Sequence, residues 1–125
     1  MMFGTSRSVR VWARTAPTDL RKGYNGLYGL VKNELGRDPL SGDLHLFVNR
    51  QRTSCKVLMW DGTGLCIFMK RLERGRFALL RRDPESGAVR LSASELALFI
   101  EGCDLVGRQA LTPEPLTPMA ASPAM

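Results

Sequence analysis

Seven cations stand out by type and spacing. Arg50, Arg52 and Lys56 lie on one stretch, and Lys70, Arg71, Arg74 and Arg76 on the next. Guanidinium and ammonium groups at this density match the charge of phosphates, and a β-hairpin that carries them can enter a groove of DNA. The chain carries a formal net charge of +6, from 18 Lys and Arg against 12 Asp and Glu. Between Arg50 and Arg82 nine basic residues face only Asp61 and Glu73, so the remainder of the chain is slightly acidic. Charge concentrated in one segment makes a local field that attracts polyanions, which a spread total does not. Trp60, Phe68 and Phe77 lie among these cations. The plainer alternative is a solvated sheet face with no partner. Sequence-specific readout is not expected, because no helix-turn-helix, zinc-finger or ribonucleoprotein motif is present.

Catalytic chemistry is harder to build. A nuclease site needs carboxylates converging on a divalent cation. Asp38 and Asp43 flank a loop, and His45, the sole histidine, follows. Aspartates in a Gly/Pro loop more often serve turn chemistry. A small metal-dependent nuclease using Asp38, Asp43 and Asp61 is the enzymatic alternative; the expectation is a protein that is not an enzyme, with no metal and no cofactor. Cys55, Cys66 and Cys103 are odd in number and lack paired spacing, which argues against a disulfide scaffold or a zinc site and for a reducing compartment. There is no phosphate-binding loop of the nucleotide-binding kinds. Asp61-Gly62-Thr63-Gly64 lies between two strands and lacks the helix N-terminus such a loop needs.

The elements that must position the cations follow from pattern. Thr53 to Trp60 and Leu65 to Leu72 are apolar runs joined by Asp61–Gly64, a hairpin signal. The turn permits a two-residue or a four-residue loop. The arms run antiparallel, so the cations are expected to meet at the open end. Both hairpin faces carry apolar residues, which predicts burial on two faces, one under the helices and the other under a partner protein or a second copy. Ser8 to Arg14 alternates, with Val9, Val11 and Ala13 on one face and Arg10, Trp12 and Arg14 on the other. Trp12 could stack on a base or pack on a neighbour. A helix is predicted from a Thr18 cap to Gly36, with Leu20, Tyr24, Leu27, Tyr28, Val31 and Leu35 as its apolar stripe. Gly23, Gly26 and Gly29 fall inside it, and close approach of a neighbouring backbone would explain them; a late, irregular start near Gly23 is the other reading. Arg21 and Lys22 oppose the helix dipole there, which hints at a role outside stability.

Leu44 to Val48 reads as a strand leading into the hairpin, Phe77 to Leu80 as a fifth strand and Ala88 to Leu91 as a sixth. Ser92 with Glu95 is a capping box for a final helix bearing Leu96, Phe99, Ile100 and Cys103 on one face. The fold class is therefore α+β: a single domain with an antiparallel meander sheet of about five or six strands and two helices. It is expected to span residues 1–107. Residues 108–125, with Pro113, Pro115, Pro118 and Pro123, read as a disordered tail. No apolar run approaches a membrane span or a signal-peptide core, so a soluble cytoplasmic protein is expected.

Ordered blocks across residues 9 to 104 resemble a known family. Thr18-Asp19-Leu20-Arg21-Lys22-Gly23-Tyr24-Asn25-Gly26-Leu27 is similar to its "TDMRKGFDGL" opening, with Tyr24 and Asn25 where Phe and Asp are usual. Asp38 to Gly42 and Leu46 to Arg50 resemble its next blocks, Lys56 to Gly62 its "KVLYWDG" strand, and Leu65-Cys66, Lys70 to Glu73 and Gly75 to Phe77 its "GLC…KRLE.GRF" block. The family is the small TnpB accessory protein of insertion-sequence family 66 elements, unrelated to the RNA-guided nuclease of the same name. The resemblance implies a helper in transposition, made beside a separate transposase that carries the catalytic carboxylates. Its implied partners are DNA, at the element ends, and that transposase. A homo-oligomer is compatible with it, and a membrane is not involved. A protein-interaction module whose basic face meets an acidic partner is the further alternative.

Overall fold

The computed structural model describes residues 9–80 and 87–102. Five strands form one open sheet: β1 (Val11–Arg14), β2 (Leu44–Val48), β3 (Ser54–Trp60), β4 (Leu65–Arg71) and β5 (Ala88–Leu91), in the order β4-β3-β2-β1-β5. Strands β2, β3 and β4 make the expected meander, with His45 opposite Leu58 and Leu58 opposite Ile67. β1 differs: it pairs parallel to β2, Val11 opposite Leu44, and antiparallel to β5. The reason is the connection. About thirty residues containing a helix join β1 to β2, and a helical crossover returns the chain to the end it started from.

Strand alternation sorts the side chains into two cores. Val11, Ala13, Leu44, Leu46, Val48, Cys55 and Val57 face one side, under α2 (Ala93–Glu101), which adds Leu96 and Phe99. Phe47 and Leu58 face the other side, under α1 (Tyr24–Gly29) and its continuation, which add Leu27 and Val31. Each face thus has its own helix. The partner protein or second copy expected over one face is not needed to bury the central strands.

The first helix begins late. Arg21 donates from its backbone N–H and its guanidinium to the Asp19 carboxylate, holding 19–22 as a turn, and helical geometry starts only after Gly23. Thr18 does not cap it; Thr18 is buried and donates its N–H to the Val48 carbonyl at 2.8 Å, lengthening the edge of β2. From Leu30 to Glu34 the helix widens into π-type turns, and Gly36, at φ 66°, ends it as expected. No neighbouring backbone approaches the three glycines. Gly23 precedes the helix, a side chain at Gly26 would meet only the Lys22 side chain, and one at Gly29 only Asn33.

Phe77 to Leu80 forms no strand. Phe77 and Ala78 are buried in an irregular stretch, and the Phe77 ring stacks on Phe99 with centroids 4.9 Å apart. The final helix carries its capping box in full: Ser92 Oγ accepts the Glu95 N–H, Glu95 Oε1 accepts the Ser92 N–H, and Gly102 closes it in the left-handed region. Cys103 and the proline-rich tail lie outside the described residues.

Candidate nucleic-acid interface

The hairpin turn comes first in building the site. Asp61 Oδ1 accepts the Thr63 and Gly64 N–H groups and the Thr63 hydroxyl, and the Asp61 N–H donates to the Gly64 carbonyl. Those donors hold the carboxyl of Asp61 below its usual range. Gly62 takes φ 106°, which a side chain would resist. The loop is Asp61–Gly64, and Trp60 pairs with Leu65. A two-residue Asp61-Gly62 loop would instead have paired Trp60 with Thr63, so the register is that of the four-residue loop.

At the opposite, open end two connections are stitched together. Asn49 organises the first: its Oδ1 accepts the Thr53 and Ser54 N–H groups, and its Nδ2 donates to the Thr53 hydroxyl. Arg52 then sits at φ 60°, the sole non-glycine residue with positive φ among the described residues. The second connection, 72–77, is bound to the first by Leu72 N–H to the Thr53 carbonyl at 2.8 Å and Phe77 N–H to the Arg52 carbonyl at 2.7 Å. Arg52 Nη1 closes the stitch on the Phe77 carbonyl at 3.2 Å.

The seven cations singled out by sequence divide accordingly. Arg50, Arg71, Arg74 and Arg76 are exposed on or beside the stitched loops, and none is ion-paired among the described residues. Arg52 is half-buried and occupied with Phe77. Lys56 and Lys70 point to opposite faces, since Lys56 pairs with Met69 and Lys70 with Cys55. Lys56 Nζ donates to the Lys22 carbonyl at 2.9 Å, just before α1. Lys70 Nζ donates to the Ile100 carbonyl at 2.8 Å, in the last turn of α2, where a cation suits the helix dipole. Four of the seven therefore gather at the sheet end, one braces it, and two tie the hairpin to the helices.

Arg21 joins the four. A cleft of about 470 Å³ separates the 17–21 segment from the 49–51 turn, with Arg21 and Arg50 among its walls and Leu20 and Met69 among its apolar lining. Arg21 is held bidentately by Asp19, whose carboxyl lies far below its usual range because of that guanidinium. Asn49 and the stitched loops were not singled out in the sequence. Their signal is a polar Asn-Arg-Gln-Arg connection between two strands.

A second cationic group surrounds Trp12. The Arg37 guanidinium lies 3.3 Å from the Trp12 ring centroid, with Arg90 at 5.9 Å and Arg10 at 6.0 Å. Trp12 thus packs on a neighbouring arginine, in a cation–π contact worth about 0.5–2 kcal/mol according to its exposure. Asp43 anchors the group: it accepts the Arg10 N–H and the Trp12 Nε1–H and pairs with the Arg10 guanidinium at 3.5 Å. Asp38 accepts the Leu40 N–H. His45 is buried beside them, and neither ring nitrogen has a hydrogen-bond partner among the described residues. Burial holds its pKa down at about 4, against the pull of Asp43. Among the described residues no three His, Cys, Asp or Glu side chains come together as a metal-holding group.

The chain is thus a small α+β domain whose antiparallel hairpin carries cations at its open end. Residues 9–110 match the family described as IS66 Orf2 like protein, and the chain belongs to that family, whose proteins are associated with insertion-sequence transposition. Two proteins of Sinorhizobium fredii are similar to it. The uncharacterized protein y4hO is 39% identical over 103 residues, covering 82% of this chain and 88% of its own length. The uncharacterized protein y4jC is 36% identical over 103 residues, covering 82% of this chain and 86% of its own. No solved structure matches. No helix among the described residues is long and apolar enough to cross a membrane.

Proposed function

We propose that this protein is a non-catalytic accessory factor in transposition that contacts DNA through the cations at the open end of its hairpin. The observation that carries this reading is the stitched pair of loops. Four exposed arginines, without ion pairs among the described residues, are fixed to a backbone held by Asn49, two inter-loop backbone hydrogen bonds and the Arg52 guanidinium. A flexible solvated face has no use for that rigidity, whereas a phosphate contact gains from it, because less side-chain and loop ordering remains to be done on binding. The contacts expected are with the phosphate backbone, which supplies position and affinity without base identity. The transposase of the same element is the protein partner this role implies.

The nuclease alternative is less well supported. Asp43 and Asp61 are occupied with N–H donors and Arg10, and Asp38 caps its own loop. Labelled element-end DNA titrated with purified protein, with and without Mg²⁺ and with and without the transposase, tests the proposal. Retarded but intact DNA is the expected result. Mg²⁺-dependent cleavage would overturn the non-catalytic role, and a shift seen only when the transposase is present would move the basic loops from DNA to the transposase.

A further inference from the structure

The stitched loops are not the sole place where arginines gather. Arg37 and Arg90 flank one indole, 3.3 Å and 5.9 Å from its centroid, which puts their guanidinium carbons within roughly 9 Å of each other, near enough to repel. Neither is ion-paired among the described residues. Of the nearby carboxylates, Asp43 is committed to Arg10 and the Trp12 Nε1–H, and Asp38, next to Arg37, accepts the Leu40 N–H. Two like charges held together with no ion pair among the described residues suit the binding of an anion. The indole keeps the Arg37 fork flat and pre-oriented, which suits recognition of a phosphate.

This group is separate from the loops. Trp12 shares a cross-strand row with His45, Leu58 and Ile67, while Arg71 pairs with Ser54, four residues further along β3. That spacing is roughly 13 Å along the strands and roughly 14 Å across them. On the shared face, α1 and its continuation stand over β2, β3 and β4 between the two places. The Arg14–Glu34 pair flanks that ridge, with the Glu34 carboxylate more than half exposed. One rigid duplex would have to climb the helix and pass Glu34 to touch both groups.

We propose that Arg37 and Arg90, gathered over Trp12, form a second phosphate-binding surface, so that one molecule holds two DNA segments at once. This rests on the reading of the loops as a DNA contact and extends it from one site to two.

The test is a bridging measurement. The full chain is bound to an immobilised duplex and offered a second, fluorescent duplex. Wild type captures it. The R37Q/R90Q variant still binds the first duplex but captures the second only at background level, and its log K against log salt flattens by about 0.9 for each guanidinium that met a phosphate. The variant with Arg50, Arg71, Arg74 and Arg76 replaced by alanine binds one duplex through the Trp12 side and captures none. Because loss of the Arg37 stack could unsettle the fold, R90Q is measured alone as well; it keeps that stack and should reduce capture with an unchanged melting temperature. Wild-type binding of the first duplex without capture of the second overturns two-site binding and leaves the loop contact standing. Capture by R37Q/R90Q or R90Q equal to wild type overturns the Trp12 site. Absence of any DNA binding by wild type overturns both readings together.

Discussion

Arg52 shows how one residue can hold a site without belonging to its contact surface. Its positive φ is a strained choice for a side chain of this size. Asn49 fixes the turn before it, and Phe77 donates its N–H to the Arg52 carbonyl while its own carbonyl accepts from the guanidinium. His45 is the other residue whose setting has a measurable consequence. In the folded chain burial holds its pKa at about 4, against about 6.5 when unfolded. Between those values the unfolded state binds a proton that the folded state refuses. Stability is therefore full above pH 6.5, falls as pH drops towards 4, and the loss amounts to about 3 kcal/mol. Asp43 and Asp38 lessen this shift and Arg37 adds to it. A polar contact with the Leu58 backbone also lessens it. Denaturant midpoints from pH 7.5 to 4.5 should show the decline, and a His45→Leu variant should lose that part of it. Asp19 and Asp61, held below their usual range, take up protons only under this window. A wild-type midpoint flat across the window would mean that water or an unseen partner solvates the imidazole.

Among elements the hairpin and the last helix were the most legible. Asp-Gly between apolar runs, and Ser92 with Glu95, act through neighbours a few residues apart, so local sequence suffices. Gly62→Val tests the first: at φ 106° a β-branched residue is strained by about 1–3 kcal/mol, so the melting temperature should fall while the binding residues stay in place. A variant as stable as wild type would show that the turn can change type. The first helix was less legible, because the Thr18 hydroxyl that a cap would use accepts from Arg14 instead, and the Thr18 N–H is taken by Val48. The opposite facing of Lys56 and Lys70 was legible, since strand alternation and either loop length require it. The stitched loops were not, because Asn49 and Arg52 act on residues 72–77, which no local pattern ties to them. Nor was the parallel β1–β2 pair, although the helix between those strands was the cue for it.

Taken as a molecule, the sheet carries cations in two places, at the open end of the hairpin and around Trp12. Arg50, Arg71, Arg74 and Arg76 extend from the open end of the hairpin. Asp43 and Asp61 lie towards the opposite end of the sheet, closed by their own hydrogen bonds. Family membership over residues 9–110 places this charge pattern in a protein associated with transposition. DNA contact through the open end makes a quantitative prediction: each phosphate neutralised releases counterions, so affinity falls with salt at a slope set by the number of contacts. Alanine at Arg50, Arg71, Arg74 and Arg76 removes side chains with no ion pair among the described residues, so the fold should hold, with a melting temperature within a few degrees of wild type.

The most direct measurement is the affinity of that quadruple variant and of wild type for a fluorescent duplex, titrated from about 50 to 200 mM salt. The expected result is weaker binding by the variant and a plot of log K against log salt flatter by up to about 0.9 for each lost contact, with folding unchanged. An identical slope in the two proteins, or no affinity for DNA in wild type, would contradict the assignment of the hairpin's open end to DNA.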